Sequence, residues 1–279
     1  MKQALLSSIF SLATFVFAGC VEKKAAPTQG QPPPTPKAAN SEKAPASSVK
    51  RTAASTLRGR GGYQVVEVLD GGSLGVTVIY KGDPIPEQTE VPVDTNVDVC
   101  GHKVFTESLI VDEKTRGLKN VVVRLEGISK GKSPPATVNV NNKDCAFEPH
   151  VSVAMKGSKM DISNSDSILH TTHPYIDGIS FFNLPLPPGG TPPRPRPIPR
   201  SGVMSIRCDV HKWMQGYMMV HTNPYIEVTD AQGKLAIEAI PPGTYPYVVW
   251  HEQLGEKKGD VEIVAGKPAE LRIEFEAPN

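Results

Sequence analysis

The sequence lacks the features that mark most enzymes and nucleic-acid-binding proteins. Its 30 Lys and Arg residues are balanced by 29 Asp and Glu residues, for a formal net charge of +1. Charge therefore gives no reason to expect nucleic acid as a partner. The sequence contains no G-x-S-x-G, H-E-x-x-H or P-loop pattern. These absences make an enzyme the weakest functional hypothesis.

Long amphipathic helices are also missing from the pattern downstream of the N-terminal apolar run. Short strand-like runs, such as 64–69 and 74–80, are separated instead by Gly, Pro, Asn and Asp. The alternation of Val121, Val123 and Leu125 has the period of two that is typical of a half-buried strand. The sequence thus predicts an all-β, sandwich-like fold.

The N-terminus predicts export. An apolar run over 4–16 follows Lys2 and is too short to span a bilayer as a mature helix. The following Phe17-Ala18-Gly19-Cys20 resembles the lipobox of bacterial lipoproteins, which implies a signal peptide over 1–19 and lipidation of Cys20. The protein would then be anchored to a bacterial membrane, facing the periplasm or the cell exterior. The alternative is an ordinary secretory signal peptide followed by an unmodified Cys.

Residues 20–61 are predicted to form a disordered tether. They are rich in Ala, Pro, Ser, Gln and Lys and have no hydrophobic periodicity, so they bury too little area to fold. The Pro-rich run 31–36 favours an extended polyproline conformation. Such a tail explains the low hydrophobic content of 39% and the 27 prolines.

The remaining three cysteines are an odd number. In an oxidising compartment, Cys100, Cys145 and Cys208 leave one thiol unpaired. The simplest partition is a Cys100–Cys145 disulfide with Cys208 bound to a metal, although the sequence leaves other pairings open. His150 is then a surface or supporting residue. The alternative is a second metal site formed by Cys145 and His150.

Three potential metal ligands occur together near residue 210. Cys208, His211 and Met214 follow one another at intervals of three residues, and His170 can supply a second imidazole. A thiolate, two imidazoles and a weak thioether are the ligands of blue-copper electron-transfer sites. Met218 and Met219 are rival thioethers in an apparent strand, where one of the two should point into the core.

These residues resemble the cupredoxin family. The loop Cys208-x-x-His211-x-x-Met214, preceded by 164–166 and by His170-Thr-Thr-His173, is most similar to that of amicyanin-type proteins. The resemblance implies a Greek-key sandwich over 100–221 with one mononuclear copper. It makes His170, Cys208 and His211 the in-plane ligands and Met214 the weak axial ligand, with the edge of His211 nearest to solvent. The single Cys in the loop argues against a binuclear centre.

Two features near this motif suggest a surface for a partner protein. Trp213 could belong to an apolar docking patch or to the core. Arg194, Arg196 and Arg200 lie in a Pro-rich loop and could steer an acidic redox partner. A solvated insertion without any role is the alternative for that loop.

The C-terminal part resembles a different family. Residues 223–245, followed by Trp250-His251-Glu252, are similar to a carboxypeptidase regulatory-like, transthyretin-type β module. We expect 222–279 to form this second small sandwich with strands from 62–99, so that the cupredoxin part is inserted between them. His251 has no soft ligand beside it, which favours a structural role.

Together these patterns predict a lipid-anchored type 1 copper protein that carries single electrons to a redox partner that the sequence does not identify. One alternative is a copper-binding or copper-delivery lipoprotein without a redox role. Another is a structural or adhesive surface lipoprotein built from β-sandwiches.

Overall fold

The structure of the protein is a computed structural model that describes residues 62–192 and 194–277. The predicted signal peptide, the predicted tether and Cys20 lie outside the described residues. Within the described ranges, strands make up nearly all the regular structure, as the sequence predicts. No helix in this part of the chain is both long enough and apolar enough to cross a bilayer.

One helix and a series of strands are described. The helix is α1 (Val97–Cys100). In chain order the strands are β1 (Gln64–Val65), β2 (Gly72–Tyr80), β3 (Glu90–Pro92), β4 (Lys103–Phe105), β5 (Val122–Leu125), β6 (Lys130–Gly131), β7 (Thr137–Lys143), β8 (Ala146–Glu148), β9 (Val151–Met155), β10 (Lys159–Asn164), β11 (His170–Ile176), β12 (Ile179–Ser180), β13 (Leu184–Leu186), β14 (Arg196–Pro197), β15 (Gly202–Arg207), β16 (Gln215–His221), β17 (Ile226–Val228), β18 (Lys234–Ile240), β19 (Gly243–His251), β20 (Gly255–Ile263) and β21 (Pro268–Phe275).

The middle of the chain forms the first sandwich. One sheet has the strand order β14-β10-β7-β8, and the other has the order β12-β11-β15-β16-β9, with β13 also paired to β11. The pairs β7–β10 and β9–β16 are parallel, whereas the other pairs of these sheets are antiparallel. Parallel pairs require long connections between the sheets, which is the arrangement of a Greek-key sandwich. The prediction of a cupredoxin-like sandwich is confirmed.

Alternating side chains fill the core of the first sandwich. In β10, Met160 and Ile162 are buried, whereas Lys159 and Asp161 are exposed, as expected for a strand with one face on a core. Cys208 and Met214 belong to the same buried cluster. The predicted ligand loop therefore closes one end of this hydrophobic core.

The second sandwich joins strands from both ends of the described chain. One sheet has the order β17-β5-β19-β20 and the other has the order β18-β2-β21. Strand β2 lies between β18 and β21, antiparallel to the first and parallel to the second. The segment 62–99 thus contributes a central strand to the C-terminal sandwich. Its side chains Leu74, Val76 and Val78 are buried in the core of that sandwich.

Strand β5 belongs to the second sandwich, although we expected it in the copper domain. Its residues fall within the expected copper domain of 100–221, yet they pair with β17 and β19 of the second sandwich. The physical reason is burial on both faces. Val123 and Leu125 pack into the second core, while Val122 packs against Val151 and Met219 of the first sandwich. The alternating residues Val121, Val123 and Leu125 indicated only the face that packs into the second core.

The segment 90–105 adds a small structure outside both sandwiches. Strands β3 and β4 pair with each other, and α1 lies between them. A disulfide joins Cys100, at the end of α1, to Cys145 in the turn between β7 and β8. We call residues 90–105 the cap. The expectation that 62–99 supplies strands to the second sandwich therefore does not extend to β3, which pairs only within the cap's own hairpin.

Candidate metal centre

The first sandwich brings three of the four predicted ligands together. His170 is the first residue of β11, and Cys208 follows the last residue of the neighbouring strand β15. His211 lies in the short loop from Cys208 to β16. The ligand atoms of the three side chains all lie within 4.8 Å of one another. Their exposed fractions are 0% for both histidines and 3% for the cysteine.

The nitrogen atoms that face the cluster are the two Nδ1 atoms. They lie 2.9 Å apart, and the Cys208 Sγ lies 4.0 Å from that of His170 and 3.7 Å from that of His211. Three donor atoms thus converge on one small volume. Lone pairs directed at one another in a dry site repel unless a cation lies among them.

Asp166 orients His170. One of its carboxylate oxygens lies 2.8 Å from His170 Nε2, which makes that nitrogen the proton donor and leaves Nδ1 free for the cluster. The carboxylate also accepts the backbone N–H groups of Asp144 and Cys145, at 2.8 and 2.9 Å. Asp166 therefore connects His170 to the turn that carries the disulfide. A carboxylate in this position fixes the tautomer of a metal-binding imidazole.

Asn96 of the cap performs the corresponding role for His211. Its side-chain oxygen lies 2.9 Å from His211 Nε2, so the N–H of that nitrogen donates outward and Nδ1 faces the cluster. The prediction that the edge of His211 faces solvent is wrong. The ring is fully buried, because residues far upstream in the sequence cover the edge that the resemblance left open.

The environment of Cys208 favours its thiolate form. The backbone N–H and the hydroxyl of Thr171 lie 3.3 and 3.7 Å from Sγ. Burial raises the pKa of the Cys208 thiol, but hydrogen bonds to the sulfur, including those from the backbone N–H groups of Thr171 and His211, outweigh burial and bring the pKa below its usual value. The thiolate is the form that binds metals.

The environment of His211 favours its neutral form. Burial lowers the pKa of His211, and the nearby His170 lowers it further. A neutral imidazole retains the lone pair that a metal needs. Cys208 and His211 are therefore both biased towards their metal-binding protonation states.

The three methionines near the site, Met214, Met218 and Met219, have different surroundings. Met214 is buried in the same cluster as Cys208, and its N–H donates to the carbonyl of His211 at 3.0 Å. Met218 points into the first core, whereas the Met219 sulfur accepts from Arg124 at 3.6 Å on the opposite face of β16. Met219 therefore lies towards the second sandwich and does not compete for the metal. Met214 keeps its predicted axial role as a proposal.

The residues predicted to form a docking surface differ in their exposure. The centre of the Trp213 ring lies 5.0 Å from that of the His211 ring, with the planes tilted by 44°, and the Trp213 Nε1–H donates to the carbonyl of Cys145 at 3.2 Å. It is half-buried against the first core. Arg196 lies in β14 with its guanidinium 5.8 Å from the centre of the Phe182 ring, whereas Arg194 is exposed. Arg200 is also exposed and pairs with Asp177 at 2.8 Å, so two of the three arginines project into solvent and Arg196 is partly covered.

Within the described residues, Cys145 and His150 do not form a second metal site. The Cys145 thiol is consumed in the disulfide, and His150 Nε2 bonds instead to the Glu252 carboxylate. His251 is fully buried, and its Nδ1 accepts the N–H groups of Gln253 and Leu254 at 3.2 and 3.3 Å. Burial, reinforced by His150, lowers the pKa of His251 to about 4. This supports the structural role expected for His251.

The donor set fits copper. It consists of one cysteine sulfur and two imidazoles in a dry setting, with a thioether in the same cluster. Hard cations such as Mg²⁺ and Ca²⁺ prefer carboxylate and carbonyl oxygens, whereas thiolate with imidazole suits copper or zinc. The carboxylate nearest to the site, that of Asp166, is engaged with His170 and two backbone N–H groups.

Three supporting residues were not identified as such from the sequence. Asp166 lies four residues before His170, and Thr171 follows it directly, so both had a local signal in the sequence. Asn96 had none, because 115 residues separate it from His211. Such a contact follows only from the path of the folded chain.

No protein-family model matches the chain, and no curated protein matches it significantly. Several solved structures do. A purple cupredoxin from Nitrosopumilus maritimus is 22% identical, with 31% of this chain and 99% of that chain covered and a TM-score of 0.27. An amicyanin from Paracoccus versutus is 15% identical, with 36% and 97% covered and a TM-score of 0.27. A copper-containing nitrite reductase from Thermus scotoductus is 17% identical, with 35% and 25% covered and a TM-score of 0.27. At these TM-scores the similarities carry no argument about function, which depends on the site itself.

Proposed function

We propose that the protein binds one copper ion at His170, Cys208 and His211, with Met214 as a weak axial ligand, and carries single electrons. One observation carries this proposal. Two imidazoles and a thiol converge within 4.8 Å in a fully buried position, and separate hydrogen bonds orient both imidazoles so that Nδ1 faces the thiol.

The surroundings of the cluster favour electron transfer over catalysis at the metal. Bound copper would supply a centre that gains or loses one electron. The supporting contacts of Asp166, Asn96 and Thr171 hold the ligand side chains in place before any metal binds. A site fixed in this way changes little between oxidation states, and four ligands leave no open position for a substrate.

Electrons would leave through the ligand loop. The structure buries the edge of His211, but Asp209, Val210 and Lys212 of the same loop are exposed. Each is adjacent to a proposed ligand, so a redox partner that docks on this loop comes within one residue of the metal. Arg194 stays a proposed contributor to partner steering.

The decisive experiment is the visible spectrum of the purified full-length protein after addition of one equivalent of Cu(II). We expect an intense thiolate-to-copper absorption band that disappears on reduction and returns on reoxidation. In Cys208→Ala the band should be absent, while Met219→Leu, on the opposite face of β16, should leave it unchanged.

Other outcomes point to other functions. Tight binding of Cu(I) without a stable coloured Cu(II) form, with rapid release to a chelator, would contradict electron transfer and favour copper delivery. The absence of any copper binding would contradict both and leave a structural or adhesive lipoprotein.

Export and anchoring form a separate part of the proposal. The lipobox-like 17–20 supports lipidation at Cys20, and a disulfide fits an oxidising compartment. Metabolic labelling of expressing bacteria with a fatty acid should label the wild-type protein and not Cys20→Ser. An unlabelled, soluble wild-type protein would contradict the anchor without affecting the copper site.

A further inference from the structure

The cap has an unusual relation to the metal cluster. It is not part of either sandwich, and its helix buries none of its own side chains. Val97, Val99 and Phe105 of the cap are exposed by 37%, 45% and 54%. Val93 is the one apolar side chain of the cap that is buried, so packing does little to hold this segment in place. Its position over the site therefore depends on specific links.

Two such links join the cap to the metal-bearing sandwich. One is the covalent bond from Cys100 to Cys145. The other is the hydrogen bond from His211 Nε2 to the side-chain oxygen of Asn96, at 2.9 Å. Asn96 has a left-handed backbone conformation with φ of 53°, which Asn adopts more readily than most residues. The chain turns there so that a side chain four residues before Cys100 faces the buried imidazole.

The disulfide connects the two segments whose contacts orient His170 and His211. Cys145 donates its backbone N–H to Asp166, whose carboxylate orients His170. Cys100 ends the helix that begins directly after Asn96, which orients His211. A single covalent bond thus joins the two segments that hold the two imidazoles.

A cleft lies beside the cap. Its volume is about 600 Å³, and it is bounded on one side by Cys100 and Phe105 of the cap and on the other by Cys145, Trp213 and Met214. The cleft therefore extends from the disulfide to the proposed axial ligand. Across this cleft the cap is not packed tightly against Trp213 and Met214.

We propose that Asn96 is a positioning residue for His211, and that the Cys100–Cys145 disulfide latches the cap as a lid over the metal cluster. With the latch formed, the three ligand side chains are inaccessible and the imidazole of His211 is held with Nδ1 inward. Metal enters or leaves on this side only when the cap moves. The role of the lid in copper exchange rests on the proposed function, but the closure of the cap over Cys208 does not.

The first test needs no metal. In the metal-free full-length protein, the rate at which iodoacetamide alkylates Cys208 is measured by peptide mass spectrometry. The thiol is 3% exposed, so wild-type alkylation should be slow. The double variant Cys100→Ser/Cys145→Ser should react about tenfold faster or more, because the released cap opens locally. Urea unfolding of each variant separates this local effect from global unfolding.

Asn96 is tested without disturbing the latch. Asn96→Gly removes the side chain but permits the left-handed backbone, and Asn96→Asp keeps an oxygen acceptor for His211. In the metal-free protein, nitrogen NMR should show the Nε2–H tautomer of His211 in the wild type and Asn96→Asp, and a tautomer mixture in Asn96→Gly. Lys103→Gln, which breaks an exposed ion pair within the cap, is the matched control and should behave like the wild type.

The second test follows the metal. The growth of the thiolate-to-copper band after mixing with Cu(II) should be faster in the disulfide-free variant than in the wild type.

The lid proposal would be overturned if the disulfide-free variant showed unchanged rates of Cys208 alkylation and copper uptake and Asn96→Gly showed an unchanged His211 tautomer. If the disulfide-free variant does not fold, Asn96→Gly still decides through the tautomer and the alkylation rate. Absence of the band from every variant, with faster alkylation in the disulfide-free one, would instead overturn the copper function and leave the lid standing.

Discussion

The side-chain oxygen of Asn96 accepts a hydrogen bond from Nε2 of His211 at 2.9 Å, although 115 residues separate them in the chain. This contact buries the ring edge that the ligand motif leaves undefined, and it determines which nitrogen faces the thiol of Cys208. The metal centre is therefore completed by a segment that contributes no ligand.

Asp166→Asn should weaken copper binding. The carboxamide can still form a hydrogen bond with His170, but the charge that favours the Nε2–H tautomer is lost. We expect copper affinity to fall by about 10- to 100-fold, the usual effect of removing such a support. Competition with a chelator of known affinity measures it. Asp161→Asn, on the exposed face of β10, is the control, and equal affinities for the two variants would contradict the prediction.

Thr171→Val should lower the reduction potential of the copper site. The substitution removes the hydroxyl that lies 3.7 Å from Cys208 Sγ but keeps the backbone N–H at 3.3 Å. Hydrogen bonds withdraw charge from the thiolate and favour the reduced metal, so losing one favours the oxidised metal. Cyclic voltammetry of wild type and variant checks the sign. A potential that rises or stays constant would show that the hydroxyl has no such effect.

Leu74→Ala should destabilise the whole described fold. Leu74 is fully buried in β2, the central strand between β18 and β21. Truncating a buried Leu typically costs about 2–5 kcal/mol of unfolding free energy. Urea denaturation measures this cost. Leu69→Ala, at a side chain that is 86% exposed, should change stability by less than about 0.5 kcal/mol. A similar cost at both positions would argue against β2 as a core strand.

Stability should fall as the pH drops below neutrality, in part because of His251. Burial, followed by the effect of His150, lowers the pKa of His251 from 6.5 to about 4. Between these values the unfolded chain binds a proton that the folded protein excludes. The stabilisation is therefore fully present above pH 6.5 and is lost progressively as the pH falls towards 4, with a total on the order of 3 kcal/mol.

The measurement is urea unfolding at several pH values between 7 and 4. His251→Asn keeps a side-chain acceptor for the N–H groups of Gln253 and Leu254, and it should flatten the pH dependence of the unfolding free energy. Some dependence should persist, because burial also lowers the pKa of His221. The exposed His102 provides a control, His102→Gln, which should retain the wild-type slope. An unchanged slope in His251→Asn would refute the assignment.

The sequence alone determined the class of fold and the proposed ligands. Short runs with a period of two, separated by turn residues, require strands, and a thiol, an imidazole and a thioether three residues apart share one loop whatever surrounds it. The odd number of downstream cysteines indicated one unpaired thiol, and the simplest partition, a Cys100–Cys145 disulfide, is the one that the structure contains. These features are local or follow from counting, so the sequence shows them by itself.

Only the tertiary structure decided what surrounds the ligands and where the strands belong. Strand β5 joined the second sandwich because both of its faces are buried, which a pattern of alternating residues does not reveal. Asn96 reached His211, and Met219 turned away towards Arg124, because of chain paths and strand faces that only the assembled sheets fix. Contacts between distant residues depend on how every intervening strand packs, and no local spacing in the sequence encodes that.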